Sequence, residues 1–500
     1  MNRMNNKYIW MICLTVVLVL SGCKKDFEDI NSDPNSPNSS RNAYLLTGAQ
    51  KGLMDNMTDT WWGGHMGNQL AQFWSSNQYS NESRYQFRTG VINTAWRLFY
   101  AGGSNDAGYA VGGLKELQTI IDNCTTSPDK YKIDGAVNNQ IAVANILQVW
   151  IMQMNTDTWG DVPYSQAFKS DADPTPAYDK QRDIYIGMLA QLDNALATMT
   201  TTGGPVGDQI YGGNMSKWRK FANSLKLKVA MRMADREPAL AATKVNEAVN
   251  DGVFTSNADN ALFNYVGGAS GGNLCWYNYD IDGRNDFASS NIMVDYLAST
   301  GDSRMDVYFA EVVNAPGTFV GEVYGLSEAN AATTEDDDVS QRGEAILSET
   351  LPGVYMQYAE VAFFLAEAVE RGFVGGSAAS YYDAGVAASF DYWGATPSAS
   401  FLEAIDYNTL LGSGKTWKQV IGAQKWCALY NQGMEAWTEW RRLDFGILQA
   451  PADGPLSGSG VPKRISYPVE EQTLNGVNYS AAVSSMGADN LDTKVWWDAN

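Results

Sequence analysis

Apolar residues recur every three to four positions through most of this chain, the spacing of helices that bury one face. Ala107–Asn123 sets Ala110, Leu114, Leu117 and Ile121 on one side, and Asn139–Met154 does the same with Ile141, Ala144, Leu147 and Ile151. Asp183–Met199 groups Ile184, Met188, Leu192, Ala195 and Leu196. Trp218–Ala234 and Ala239–Val249 predict a further pair. Tyr355–Arg371, the Gly-rich stop GFVGG and Ala378–Tyr392 predict helix, turn and helix, with Ala359, Ala362, Ala366 and Ala368 allowing close approach. That unit has about the length of a tetratricopeptide repeat, and such pairs stack into extended arrays. Between the helices lie long irregular stretches at 200–214, 264–287, 314–344 and 450–467. Connections of that length are uncommon in compact proteins and are often functional. Ala261–Val266 and Phe319–Tyr324 read as small hairpins. The predicted fold is mostly α: tetratricopeptide-like helix pairs forming a scaffold, with a loop-rich lobe and a few short β-hairpins.

The first residues follow a different pattern. Arg3 and Lys7 precede an almost wholly apolar run, Ile9–Leu20, which is too short to span a bilayer and fits a secretory signal. Leu20-Ser21-Gly22-Cys23 then resembles a bacterial lipobox, which implies cleavage before Cys23 and acylation of that cysteine. Several acyl chains hold a protein at a membrane far better than one. Asp26, Glu28 and Asp29 resemble the acidic export tag of Bacteroidetes surface lipoproteins, although Lys24 and Lys25 dilute it. The expected organisation is a signal peptide at 1–22, a lipidated tether at 23–40 and one helical domain with a loop-rich ligand-binding lobe at 41–500.

Charge removes whole classes of partner. Loss of residues 1–22, which hold two basic residues and no acid, moves the net charge from −21 to −23. Nucleic-acid binding needs clustered Lys and Arg, so it is not expected. Cys124, Cys275 and Cys427 are widely spaced and odd in number, which predicts small buried hydrophobes and not a disulfide framework.

Catalytic patterns are sparse. His65 is the sole histidine, which rules out a multi-histidine zinc site. Gly268-Ala269-Ser270-Gly271-Gly272 fits the nucleophile-elbow spacing, but no histidine follows Ser270, and the sequence beyond it reads as an aromatic loop, not a helix. No cofactor is expected. Asp280, Asp282 and Asp286 with Gly283 form part of a calcium-loop pattern that lacks the later Glu, so a turn leading into a helix competes with a calcium site there. Trp440-Arg441-Arg442 ends an aromatic and acidic helix, where Glu435 and Glu439 are spaced for local ion pairs.

Several segments, in order, carry a family resemblance: FEDINSDPNSP after Cys23, TDTWGDVPYSQAF at 156–168, SKWRKFANSLKLKVAMRMAD at 216–235, YAEVAFFLAEAVERGF, and QKWCALYNQGMEAWTEWRRLDFG. The chain resembles the SusD/RagB family of Bacteroidetes outer-membrane nutrient-binding lipoproteins, in its SusD-like branch. The resemblance implies a helical fold, no catalysis, and a place on the cell exterior as the lid of a SusC-like TonB-dependent β-barrel. It implies capture of oligosaccharides or, in some systems, peptides.

No short motif marks the ligand residues of that family, so candidates rest on side-chain chemistry. Trp61, Trp62, Trp74 and Tyr79 offer flat faces, and Asn77 and Arg84 offer hydrogen bonds. Trp276, Tyr277 and Tyr279 lie in the long Gly-rich loop. A surface glycosidase or peptidase is the competing class, marked by release of reducing ends or peptides. A pure assembly scaffold is another, marked by partners without saturable ligand binding.

Overall fold

A computed structural model describes residues 40–104, 110–167 and 174–499. The signal peptide, Cys23 and nearly all of the tether lie outside the described residues. The principal helices are α1 (Asn42–Thr58), α2 (Thr89–Ala101), α3 (Leu114–Thr126), α4 (Val137–Trp159), α5 (Gln181–Thr198), α6 (Met215–Arg232), α7 (Pro238–Asp251), α8 (Asn291–Thr300), α9 (Tyr358–Glu370), α10 (Ala378–Trp393), α11 (Trp417–Ala428), α12 (Gly433–Leu443) and α13 (Gly476–Met486). The mostly helical fold expected from periodicity is the one observed. None of the described helices is long and apolar enough to cross a membrane.

Helices pair as neighbours in sequence: α4 with α5, α6 with α7, α9 with α10, and α11 with α12. The α9–α10 turn shows the cause. Gly372 adopts φ +70°, a left-handed value that suits glycine, just after α9 ends. Ser377 then caps α10 by accepting a hydrogen bond from the Ser380 amide. Gly385 lets α10 lie on α9, because a Cβ there would stand 2.9 Å from the Phe363 ring. Ala107–Tyr109 lie outside the described residues, and the described part of the helix expected there begins at Leu114. A Cβ on Gly112 or Gly113 would strike the backbone of α1 or α2 at 2.4 Å, so this pair marks a crossing point before the helix starts.

Strands are short and antiparallel: β1 (Trp74–Ser76), β2 (Gly103–Ser104), β3 (Ala110–Val111), β4 (Val162–Pro163), β5 (Tyr178–Asp179), β6 (Ala261–Phe263), β7 (Phe287–Ser289) and β8 (Gly353–Met356). β2 pairs with β3, and β4 with β5. The other two pairs join distant segments, β1 with β7 and β6 with β8. The two runs expected to form local hairpins therefore do something else. Ala261–Phe263 pairs with Gly353–Met356, and Glu322 makes only an isolated bridge to Ser290. The expected loop after Ser270 also contains a short helix, Leu274–Trp276, that continues as a wide turn over Tyr277–Ile281. Cys124, Cys275 and Cys427 are buried free thiols.

Charged side chains cross-link the helix pairs inside the protein. Arg232 of α6 pairs with Glu435 of α12 at 2.6 Å, with Asp157 of α4 at 3.2 Å, and with Glu439. Lys228 reaches Glu435 at 2.7 Å and Glu360 of α9 at 3.1 Å. Lys425 of α11 meets Glu439 at 2.8 Å, and Arg442 bonds both Glu439 and Glu367. The local pairs expected for Arg442 are thus half of the pattern, since its other partner sits on α9. Arg441 instead donates to the carbonyls of Asp157 and Lys463. Burial alone would raise the Glu439 carboxyl, but Arg442, Lys425 and Arg232 together hold it well below the usual range. Burial is likewise outweighed at Glu435 by Arg232 and Lys228, which bring it down to about 2.

Removing one member of a buried ion-pair network strands the others, at a cost of about 3–5 kcal/mol. Glu439→Ala is expected to lose stability of that order in urea unfolding. Because the folded values of Glu435 and Glu439 lie below the unfolded value, their stabilisation is complete above about pH 4.3. It is lost as the pH falls from there through about 2. An acid titration followed by circular dichroism should place the unfolding transition in that window.

Candidate carbohydrate-binding face

The site is built on the segment that follows α1. Asp59 ends α1 and accepts hydrogen bonds from the amides of Trp62 (2.7 Å) and Gly63 (3.1 Å). It opens a π-helical stretch, Thr60–Asn68, a wide winding often found at functional sites. Burial lifts the Asp59 carboxyl to about 7 against the pull of these amides. Small residues make the wide turn compatible with its neighbours. A Cβ on Gly64 would lie 2.8 Å from the Phe287 ring, and one on Gly433 would lie 2.1 Å from the backbone of Gly67. The start of α12 therefore crosses the turn backbone to backbone.

Rings run from the surface into the core. Trp61 stacks on His65 (centroids 5.0 Å apart), His65 packs on Phe287 (4.5 Å), and Phe287 packs on Trp74 (5.2 Å). The Trp74 indole N–H donates to Tyr430, which stacks on Tyr308 at 4.0 Å. At the outer end two guanidiniums lie over the exposed rings. Arg88 is 4.7 Å from the Trp61 ring and 4.4 Å from Tyr79, while Arg284 is 5.0 Å from Trp61. Each guanidinium has a carboxylate, Glu82 for Arg88 at 2.7 Å and Asp286 for Arg284 at 2.6 Å. Burial holds the His65 imidazole below its ordinary value despite Asp286, so the ring is neutral at pH 7.

The expected residues divide. Trp61 is half-buried, Tyr79 is 39% exposed and Tyr279 is 36% exposed. Trp276 and Tyr277 are half-buried on the neighbouring turn, with Trp276 against Gly272. Of the expected rings, Trp61 and Trp62 line a small cleft, together with Asp59, Val91, Leu274 and Asn278. Arg342 lies 5.2 Å from Tyr279 and 5.4 Å from Phe287. Four of the expected side chains are engaged elsewhere. Trp62 is 1% exposed and stacks on Trp159, because the turn rotates it inward next to its exposed neighbour. Trp74 is 2% exposed, on β1. Arg84 donates to the carbonyls of Asp453 and Gly454, tying down the loop at 450–467. Asn77 donates to Asp336 at 2.9 Å.

The calcium pattern is not assembled either. Asp280 and Asp282 are exposed, Asp286 is taken by Arg284, and no three His, Cys, Asp or Glu side chains cluster as metal ligands among the described residues. Ser270 lies exposed in a Gly-rich turn. A second cleft opens beside the ionic network, lined by Trp150, Tyr355, Tyr392, Gln432 and Glu435 among others. Arg88, Arg284 and Phe287 were absent from the expected set, because their place over or beneath Trp61 follows from tertiary contacts.

Comparison with known proteins then places the chain. A family profile described as "Starch-binding associating with outer membrane", SusD-like, matches residues 34–468. The chain belongs to this SusD-like family. A solved structure described as a chitin-binding protein is 30% identical, with a TM-score of 0.77, covering 92% of this chain and 100% of its own. A SusD homologue from Bacteroides uniformis is 27% identical, with a TM-score of 0.77, covering 91% and 100%. A chitin-binding SusD homologue from Flavobacterium johnsoniae is 25% identical, with a TM-score of 0.74, covering 91% and 99%. Comparison with curated proteins gives no match.

Asp59 supplies a test of the turn in this SusD-like chain. Its raised folded value means that stability declines as the pH rises from the unfolded value near 4 to about 7. Asp59→Asn keeps an acceptor and removes the buried charge, so it should flatten that decline in thermal melts. Asp59→Ala should cost about 1 kcal/mol at pH 5, where the cap is lost without relief of charge.

Proposed function

We propose that this SusD-like protein is a lipid-anchored surface protein that captures polysaccharide fragments on the face formed by Trp61, Tyr79, Trp276, Tyr277 and Tyr279. It passes them to a SusC-like TonB-dependent barrel that it covers as a lid. The observation that carries the reading is the pairing of the half-buried Trp61 and the exposed Tyr79 with guanidiniums that each have a carboxylate partner. Pyranose rings offer apolar C–H faces that stack on Trp and Tyr, while hydroxyl and acetamido oxygens accept from Arg88 and Arg284. The chitin-binding descriptions of two solved relatives favour an N-acetylated glycan. The protein binds and does not cleave. Its sole histidine is buried between Trp61 and Phe287. Cys23 carries the acyl anchor, and the acidic tag after it directs display to the exterior.

Binding to insoluble chitin and affinity electrophoresis with soluble glycans test this. Trp61→Ala, Tyr79→Ala and Tyr279→Ala should each weaken binding by about 1 kcal/mol, roughly fivefold, and together abolish it. Full binding by the triple variant contradicts the site, and binding to casein peptides in place of every glycan contradicts the ligand class. Released reducing ends contradict the non-catalytic reading. Cys23→Ala should move the protein out of the membrane fraction, and the native form should copurify with a barrel.

A further inference from the structure

A group of oxygens without partners lies behind the aromatic face, where four segments meet. Ser340 bonds Val320 in both directions, Ser289 donates from its amide to the Ser340 carbonyl, and Glu322 donates from its amide to Ser289. β1 runs alongside, with Ser75 donating to the Val323 carbonyl at 3.1 Å. Asn77 follows β1 directly, and its side chain donates to Asp336.

At this junction Glu322 is 1% exposed, and neither of its carboxylate oxygens has a hydrogen-bond partner. Its one charged neighbour of consequence is another acid. Burial first, and then Asp336, push its carboxyl up to about 7 against the pull of the nearby Ser75 hydroxyl, whose proton is directed to the Val323 carbonyl. Asp336 in turn gathers the amides around it. Asn77 donates to one carboxylate oxygen at 2.9 Å, Asn285 to the other at 3.0 Å, and Gln341 to the Asp336 carbonyl at 3.2 Å. The side-chain oxygens of Asn77, Asn285 and Gln341 are all buried without a donor. Buried acceptors without donors cost free energy, and a buried carboxylate facing another carboxylate costs more.

Two carboxylates and three carboxamide oxygens, with no thiol or imidazole, are the donor set of a hard cation. Each carboxamide can also turn over and present its oxygen where its nitrogen now points. We propose that Glu322, Asp336, Asn77, Asn285 and Gln341 form a calcium site that ties the 320–341 loop to the strand pair carrying Trp74 and Phe287. This site is distinct from the exposed Asp280 and Asp282, and it does not depend on the identity of the glycan.

The test uses the full mature chain stripped with chelator and titrated calorimetrically with calcium chloride, with no glycan present. One calcium per chain is expected, with an affinity in the range of extracellular modules and a higher melting temperature in calcium. Asp336→Asn, a near-isosteric change at an exposed side chain, should weaken binding more than about tenfold. Glu322→Gln should abolish binding and melt higher than the calcium-free parent. Asp280→Asn with Asp282→Asn should bind as the parent does. Absence of saturable binding up to about 10 mM calcium overturns the proposal. So does parent-like affinity in folded Asp336→Asn.

Discussion

The carboxylate of Glu439 is where the scaffold is decided. Arg232 from α6, Lys425 from α11 and Arg442 from its own helix converge on it, and Arg442 carries the connection to Glu367 on α9. Such a network gives little net stability relative to a well-packed apolar core. Its effect is on selection. Helices lined with Ala and Gly can approach in several registers, but only one register gives each buried charge its partner. In this account the ionic cluster fixes α12 against α6, α9 and α11. The backbone crossing of Gly433 on Gly67 then fixes the wide turn that carries Trp61.

The rigidity of that turn bears on binding. A flexible aromatic side chain loses rotamer freedom when it meets a ligand, and affinity falls by that cost. Here Trp61 is already held by His65 on one side and by two guanidiniums, and the ring column continues inward to Tyr430 and Tyr308. Arg88 and Arg284 are positioned by their own carboxylates, so their remaining N–H groups are oriented before any ligand arrives.

Much of the scaffold was legible in the sequence, because amphipathic helices write their period into local spacing. Asp183–Met199 reads as a helix from its own residues, and α5 lies there. The site was legible only as a region. Trp61 and Trp62 are adjacent and chemically alike, yet one turns outward and the other stacks on Trp159, because a wide turn sets their directions. Arg84 and Arg88 are four residues apart, and only contacts with the distant loop at 453–454 and with Glu82 separate a clamp from a ligand-facing cation. β6 found its partner at Gly353–Met356, far beyond any local signal. Lys226, Lys228 and Arg232 of α6 are buried beside acids from other elements, contacts that local spacing does not show.

Hydrogen exchange of the mature protein with and without a chitin oligosaccharide tests the central claim most directly. The account predicts new protection at 60–79 and 274–288, little change in α6, α9 and α12, and no large change elsewhere. Protection confined to the cleft beside Tyr392 and Gln432, with 60–79 exchanging as in the free protein, would contradict it.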